Sequence, residues 1–131
     1  ERKGKRTGCG LEGGNAAETI DLEELCSAPR AGQGAGSVHH IACAGDDREA
    51  QRRVRGQLLE TGYQVTPVID RNYFWAIYFR TPGGVLFEVA TNEPGFDHDE
   101  DTAHLGEALK LPEQYEAQRA EIERVLPDLA A

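Results

Sequence analysis

Two short runs carry residue types that could do chemistry. "SVHHIACAG", Ser37 to Gly45, sets His39 and His40 in an otherwise apolar stretch, and "VLFEVAT", Val85 to Thr91, sets Glu88 alone in another. An imidazole and a carboxylate are two-thirds of a common triad for divalent metals. Each has a plainer explanation. A histidine on a strand is usually just a hydrogen-bonded polar group. A lone carboxylate in an apolar strand is costly to bury without a partner, so the pair together leaves ligand and structural readings balanced.

Strand alternation sharpens the question. In the first run His40 shares a face with Val38 and Ala42, while His39 lies opposite with Ile41 and Cys43. In the second, Glu88 shares a face with Leu86 and Ala90, opposite Val85, Phe87 and Val89. A helix covering the Ile41, Phe87 and Val89 face would leave His40 and Glu88 together on the bare one. Tyr78, in "YFWAIYFR", joins them only if it pairs with Glu88. That requires a five-residue loop, Thr81–Val85, or a bulge, because a four-residue loop puts Tyr78 on the wrong side. We expect the odd loop. His39 reads as a group supporting His40 or ending the strand. His98 and His104 lie in an acidic loop and read as non-ligands. Trp75 reads as packing.

The elements that would position these residues follow from pattern and punctuation. "ERKGKRTGCGLEGGN" shows no period and reads as mobile or edge-like. "AAETIDLEEL" alternates through Ile20, Leu22 and Leu25 as a short strand, and "SAPRAGQGAG" is a loop. Val38–Ala44 is strand-like. The next segment is helical, with Asp46 or Asp47 as N-cap, an apolar stripe of Ala50, Val54, Leu58 and Leu59, and Gly62 as its stop. "YQVTPVI" is an edge strand because of its proline. "YFWAIYFR" and "VLFEVAT" are strong strands, joined by "TPGG", which has the Pro and Gly of a type II turn. After an acidic loop at Gly95–Asp101, a helix starts near Pro112 and breaks before Pro127. Its apolar residues are Tyr115, Ile122, Val125 and Leu126.

The 131 residues suit one domain or part of one, and the net charge of −9 argues against a nucleic-acid or anionic-membrane partner. The acidic runs Glu18–Glu24 and Glu93–Glu107 read as solvated surface. No apolar run approaches ~18 residues, so no membrane span is expected. The start lacks the apolar core of a signal peptide. Cys9, Cys26 and Cys43 form no CxxC, so neither a zinc knuckle nor a disulfide framework is indicated. A cytoplasmic location is the expectation.

"GSVHHIACAG…GYQVTPVIDRNYFWAIYFRTPGGVLFEVAT" resembles a module of the vicinal oxygen chelate superfamily, which groups glyoxalases, bleomycin-resistance proteins and extradiol dioxygenases. "GAGSVHHIA", "VTPVIDRNYFWAIYFRTPGGVLFEVAT" and "AHLGEALKLP" resemble, more narrowly, the C-terminal half of ring-cleaving dioxygenases of the hydroquinone type. The resemblance covers about Ala31 to Leu129. It implies a βαβββ module that pairs with a second one; with the extra N-terminal strand and the C-terminal helix this is an α+β fold, and the chain is either a fragment or pairs with a second module by dimerisation. The organisation expected is 1–36 as a glycine-rich segment left from a preceding module, 37–95 as the module, and 96–131 as acidic loop and helix.

The resemblance also implies roles. The second histidine of "HHIA", His40, and the glutamate of "LFEVA", Glu88, fall on metal ligands, and Tyr78 falls on the active-site tyrosine. Three departures stand out. No histidine precedes His39, so the family's third ligand is missing. The acid–base histidine of extradiol enzymes has no counterpart, and "IDRNYFW" carries Asn72 and Tyr73 in that region. Cys43 stands where relatives have Phe.

The implied function is a metal-dependent ring-cleaving dioxygenase acting on catechol- or hydroquinone-like aromatics with O₂. His40 and Glu88 would hold Fe(II), with Mn(II), Zn(II) or Ni(II) as alternatives. Tyr78 would act on the substrate, Phe74 would line its pocket, and a homodimer would complete the site. Two other classes stay open. One is a glyoxalase-type metal lyase or isomerase. The other is a metal-free bleomycin-resistance-like binding module or an inactive fragment.

Overall fold

The computed structural model describes residues 5–10, 19–24 and 32–127, in two compact units, Glu1–Ser37 and Val38–Ala131. In the first unit, β1 (Lys5–Gly10) pairs antiparallel with β2 (Thr19–Glu24). β2 is the weakly alternating strand read from Ile20 and Leu22. β1 is a strand that the sequence pattern did not reveal. Its Lys5 and Arg6 stand opposite Glu24 and Glu23, and opposite charges across a ladder favour pairing. The expectations for Leu25, Cys26 and the loop before Ala31 lie outside the described residues. Cys9 and Cys43 are free thiols.

The second unit is built on a four-stranded sheet of order β3-β6-β5-β4. Its strands are β3 (Ile41–Gly45), β4 (Ile69–Asp70), β5 (Phe74–Arg80) and β6 (Leu86–Pro94), and α1 (Arg48–Glu60) connects β3 to β4. This is the βαβββ order. β3 runs parallel to β6, while β4 and β6 are antiparallel to β5. β4 is short because Pro67 cannot donate to a ladder. Before it, only Val65 bridges to Phe79.

The ends of α1 follow from local chemistry. Asp47 is extended, and its carboxylate accepts from the Ala50 amide at 2.6 Å, an N-cap bond. Gly62 takes φ +88°, and the Tyr63 amide returns to the Leu58 carbonyl, closing the helix in the left-handed way that glycine permits. The expected inward stripe is only partly right. Leu59 is exposed, while Gln51 is fully buried. The Gln51 amide nitrogen donates to the Trp75 carbonyl at 2.7 Å and the Val89 carbonyl at 2.8 Å. A polar side chain thus ties α1 to β5 and β6.

The helix covers the expected face. The guanidinium of Arg48 on α1 lies 4.1 Å above the Trp75 ring, and Phe79 stacks on Phe87 at 5.7 Å. Ala76 and Ile77 form the fully buried apolar centre. After β6, short 3₁₀ turns at Phe96–His98, Thr102–His104 and Glu113–Gln118 lead into α2 (Arg119–Val125). The C-terminal helix therefore starts later than Pro112 suggested, but it ends before Pro127 as a pre-proline residue requires. Among the described residues no helix is long and apolar enough to cross a membrane.

Candidate active site

The β5–β6 hairpin decides whether the chemistry-bearing residues meet. Arg80 pairs with Leu86 and Tyr78 with Glu88, so the loop is the five-residue Thr81–Val85. Its turn is not type II. The Gly84 amide donates to the Thr81 carbonyl at 2.8 Å, but the left-handed residue is Gly84 (φ +87°), not Gly83. A turn followed by one left-handed glycine adds the odd residue that keeps Tyr78 and Glu88 on one face.

On the other side of β6, Ala42 stands opposite Glu88. His40, two residues before Ala42, precedes the first residue of β3 and points the same way. The three side chains converge. His40 Nε2 lies 2.7 Å from Glu88 Oε2, and the Tyr78 hydroxyl donates to Glu88 Oε1 at 2.8 Å. The His40 and Tyr78 rings meet edge to face at 6.3 Å. Glu88 is 4% exposed, whereas about a third of the His40 side chain (34%) is open to solvent. A carboxylate so buried needs both of these partners.

Two further residues hold this trio. His39 Nδ1 and His40 Nδ1 share one hydrogen at 2.9 Å. His39 therefore stands behind His40 and leaves Nε2 facing Glu88. Arg71 was missed by sequence reasoning. Its Nε donates to the Tyr78 hydroxyl at 3.3 Å, and its guanidinium lies 5.3 Å from the Tyr78 ring centre. In the sequence, Arg71 is merely the polar middle of an Asp-Arg-Asn turn, and nothing there foretells its reach. Burial pushes the Tyr78 phenol above its ordinary value, the hydrogen bond to Glu88 adds to this, and Arg71 opposes it. Tyr78 thus stays a protonated donor through neutral pH.

The other candidates lie elsewhere. Phe74 lies four residues from Tyr78 along β5, about 13 Å at ~3.3 Å per residue, beyond an irregularity in the β5–β6 register, and its ring neighbours Phe96 at 6.4 Å. Trp75 and Phe79 face the helix. His98 lies 5.5 Å from the Tyr73 ring, and His104 pairs with Glu107 at 3.0 Å. A cleft of about 740 Å³, lined by Tyr63, Thr66, Tyr78, Phe79 and Leu86, runs beside Tyr78 without including His40 or Glu88.

The His40–Glu88 pair fits part of a metal shell. A 2.7 Å gap between the donor atoms is close to the ~3 Å expected for adjacent ligands at bonds of ~2.1 Å. Among the described residues no third His, Cys, Asp or Glu joins them.

A parallel β3–β6 pair, a helix covering one face of the sheet and a His–Glu–Tyr trio on the other define a βαβββ module. Residues 1–89 match the Glyoxalase/Bleomycin resistance protein/Dioxygenase superfamily, and the chain belongs to it. It is 50% identical over 113 residues to "Putative ring-cleaving dioxygenase MhqO" of Bacillus subtilis (strain 168), covering 86% of this chain and 36% of that protein. It is 40% identical over 98 residues to the chlorohydroquinone/hydroquinone 1,2-dioxygenase of Sphingobium indicum, covering 72% and 30%. The crystal structure of a putative dioxygenase from B. subtilis subsp. subtilis str. 168 superposes with a TM-score of 0.81 at 46% identity, covering 95% of this chain and 42% of that one. The chain spans about a third of the length of the curated relatives it matches.

Proposed function

We propose that this chain supplies one half of a divalent-metal site in a ring-cleaving dioxygenase, with a catechol- or hydroquinone-like aromatic and O₂ as substrates. The observation that carries the reading is the buried Glu88 held between His40 Nε2 and the Tyr78 hydroxyl. The activities for which the relatives are named supply the reaction class. His40 and Glu88 are the metal ligands in this proposal, with Fe(II) preferred and Mn(II), Zn(II) or Ni(II) as alternatives. When bound, Fe(II) would supply electron transfer between an aromatic diol and O₂.

The protein's own groups have distinct tasks. His39 fixes the His40 ring through Nδ1. Tyr78 holds one Glu88 oxygen and, as a protonated phenol, can hydrogen-bond a substrate oxygen. Arg71 sets the direction of that hydroxyl. Phe74 forms an outer aromatic wall. Two protein donors leave the shell short of three, and we propose that a second copy of the module in a homodimer completes it. The cytoplasm is the proposed location.

Elemental analysis of the purified chain, run with its oligomeric mass and O₂ uptake on hydroquinones, tests the proposal. Near-stoichiometric iron or manganese in a dimer that consumes O₂ supports it. Metal that binds without O₂ uptake points to lyase or isomerase chemistry. Wild-type protein that takes up no added metal refutes the ligand roles of His40 and Glu88.

A further inference from the structure

The turn that carries Arg71 is anchored from outside the site, and the anchor is Tyr73. The turn itself is well formed. The Arg71 amide donates to the Phe74 carbonyl at 2.9 Å, the Asn72 amide donates to Asp70 Oδ1 at 2.8 Å, and Asn72 sits at φ +68°. Its relation to the rest of the unit runs through the next residue. The Tyr73 carbonyl accepts from the Gly95 amide at 2.9 Å, just past the end of β6. The Tyr73 ring stacks on Phe96 at 5.1 Å, and its hydroxyl donates to Asp99 Oδ2 at 3.3 Å.

Three separate contacts therefore bind one residue to the segment after β6. Gly95 makes the first through its backbone amide. It takes φ +97°, and a Cβ there would come within 3.0 Å of Asp97 Oδ1. From the same turn, Arg71 extends to the Tyr78 hydroxyl at 3.3 Å, a length at which a small displacement ends the hydrogen bond.

We propose that Tyr73 is a positioning residue: by clamping the Asp70–Phe74 turn to the Gly95–Asp99 segment, it sets where Arg71 meets the Tyr78 hydroxyl. The inference deepens the dioxygenase reading and rests on it for its catalytic consequence. Its structural content stands apart from that reading.

The test uses the full chain. The Arg71 Nε–H signal in ¹H–¹⁵N NMR reports the contact, and Tyr78→Phe marks where that signal falls when the contact is gone. Tyr73→Leu should move the signal toward the Tyr78→Phe position, and Tyr73→Phe, which keeps the stack and loses only the hydroxyl, should move it part of the way. In turnover, Tyr73→Leu should lower kcat about fivefold with KM held, the scale of one long, solvent-exposed hydrogen bond. It should add nothing in an Arg71→Ala background. If the Arg71 signal stays put in Tyr73→Leu, or if the two losses in kcat multiply, the proposal is overturned. Should Tyr73→Leu fail to fold, Tyr73→Phe decides by the same signal. The NMR readout decides the proposal even if no ring-cleaving turnover is found.

Discussion

Replacing Glu88 by glutamine separates the structural role of this side chain from a ligand role. Glu88 is 4% exposed and accepts at both oxygens, from Tyr78 at 2.8 Å and from His40 Nε2 at 2.7 Å. Glutamine keeps the shape. Its carbonyl can still accept from Tyr78, and its amide can donate to a neutral His40 ring. Two hydrogen bonds to a charged group, at ~1.5–3 kcal/mol each, become two neutral ones at ~1 kcal/mol. The lost strength is offset by no longer burying a carboxylate. The net cost in folding stability should be within about 1 kcal/mol, a shift of about 4 °C in Tm for a chain of this size. Metal binding should respond quite differently. A neutral amide is a far weaker donor than a carboxylate, so affinity for Fe(II) or Mn(II) should fall at least about 100-fold, beyond the range typical of losing an outer support. Urea unfolding and anaerobic titration calorimetry on the same preparation read both quantities. Wild-type metal affinity in Glu88→Gln would refute the ligand argument. A stability loss of about 4 kcal/mol would instead make Glu88 a structural residue whose charge the fold requires.

Other expectations follow from single contacts. Gln51→Leu should cost about 2–3 kcal/mol in urea unfolding, because the Trp75 and Val89 carbonyls lose their shared buried donor. Asp47→Ala should cost about 1 kcal/mol by removing the α1 N-cap, and Asp47→Asn should restore most of it. In spectrophotometric titration, Tyr78 and Tyr73 should ionise above the usual tyrosine value of about 10. Burial is the first cause in each, joined by Glu88 for Tyr78 and by Asp99 for Tyr73. Both phenols keep their protons in the folded chain where the unfolded chain releases them. The stability they contribute is therefore intact below about pH 10 and is lost as pH rises through the folded values. Tyr78→Phe should remove one of the two late transitions, and an unchanged titration curve would contradict the assignment.

Much of the site was legible in the residues because a strand has period two. Alternation alone set His40 with Ala42 and Glu88 with Leu86, opposite the residues that face the helix, and Asp47, Gly62 and Pro127 marked helix limits through local backbone chemistry. β1 escaped notice because its own residues show no alternation, and its Lys5 and Arg6 meet Glu24 and Glu23 only once β2 pairs with it. Gln51 escaped because hydrophobic periodicity marks apolar inward positions, whereas this one is held by two strand carbonyls. The pairing of Tyr78 with Glu88 was open until the Thr81–Val85 loop took five residues with Gly84 in the left-handed conformation. Arg71 and Tyr73 gained their places only through contacts with β5 and with the segment after β6. Local sequence dictates which way a side chain leaves its own strand. Which neighbour it meets depends on register and on turns packed from distant parts of the chain, and these are settled only when the whole sheet closes against its helix.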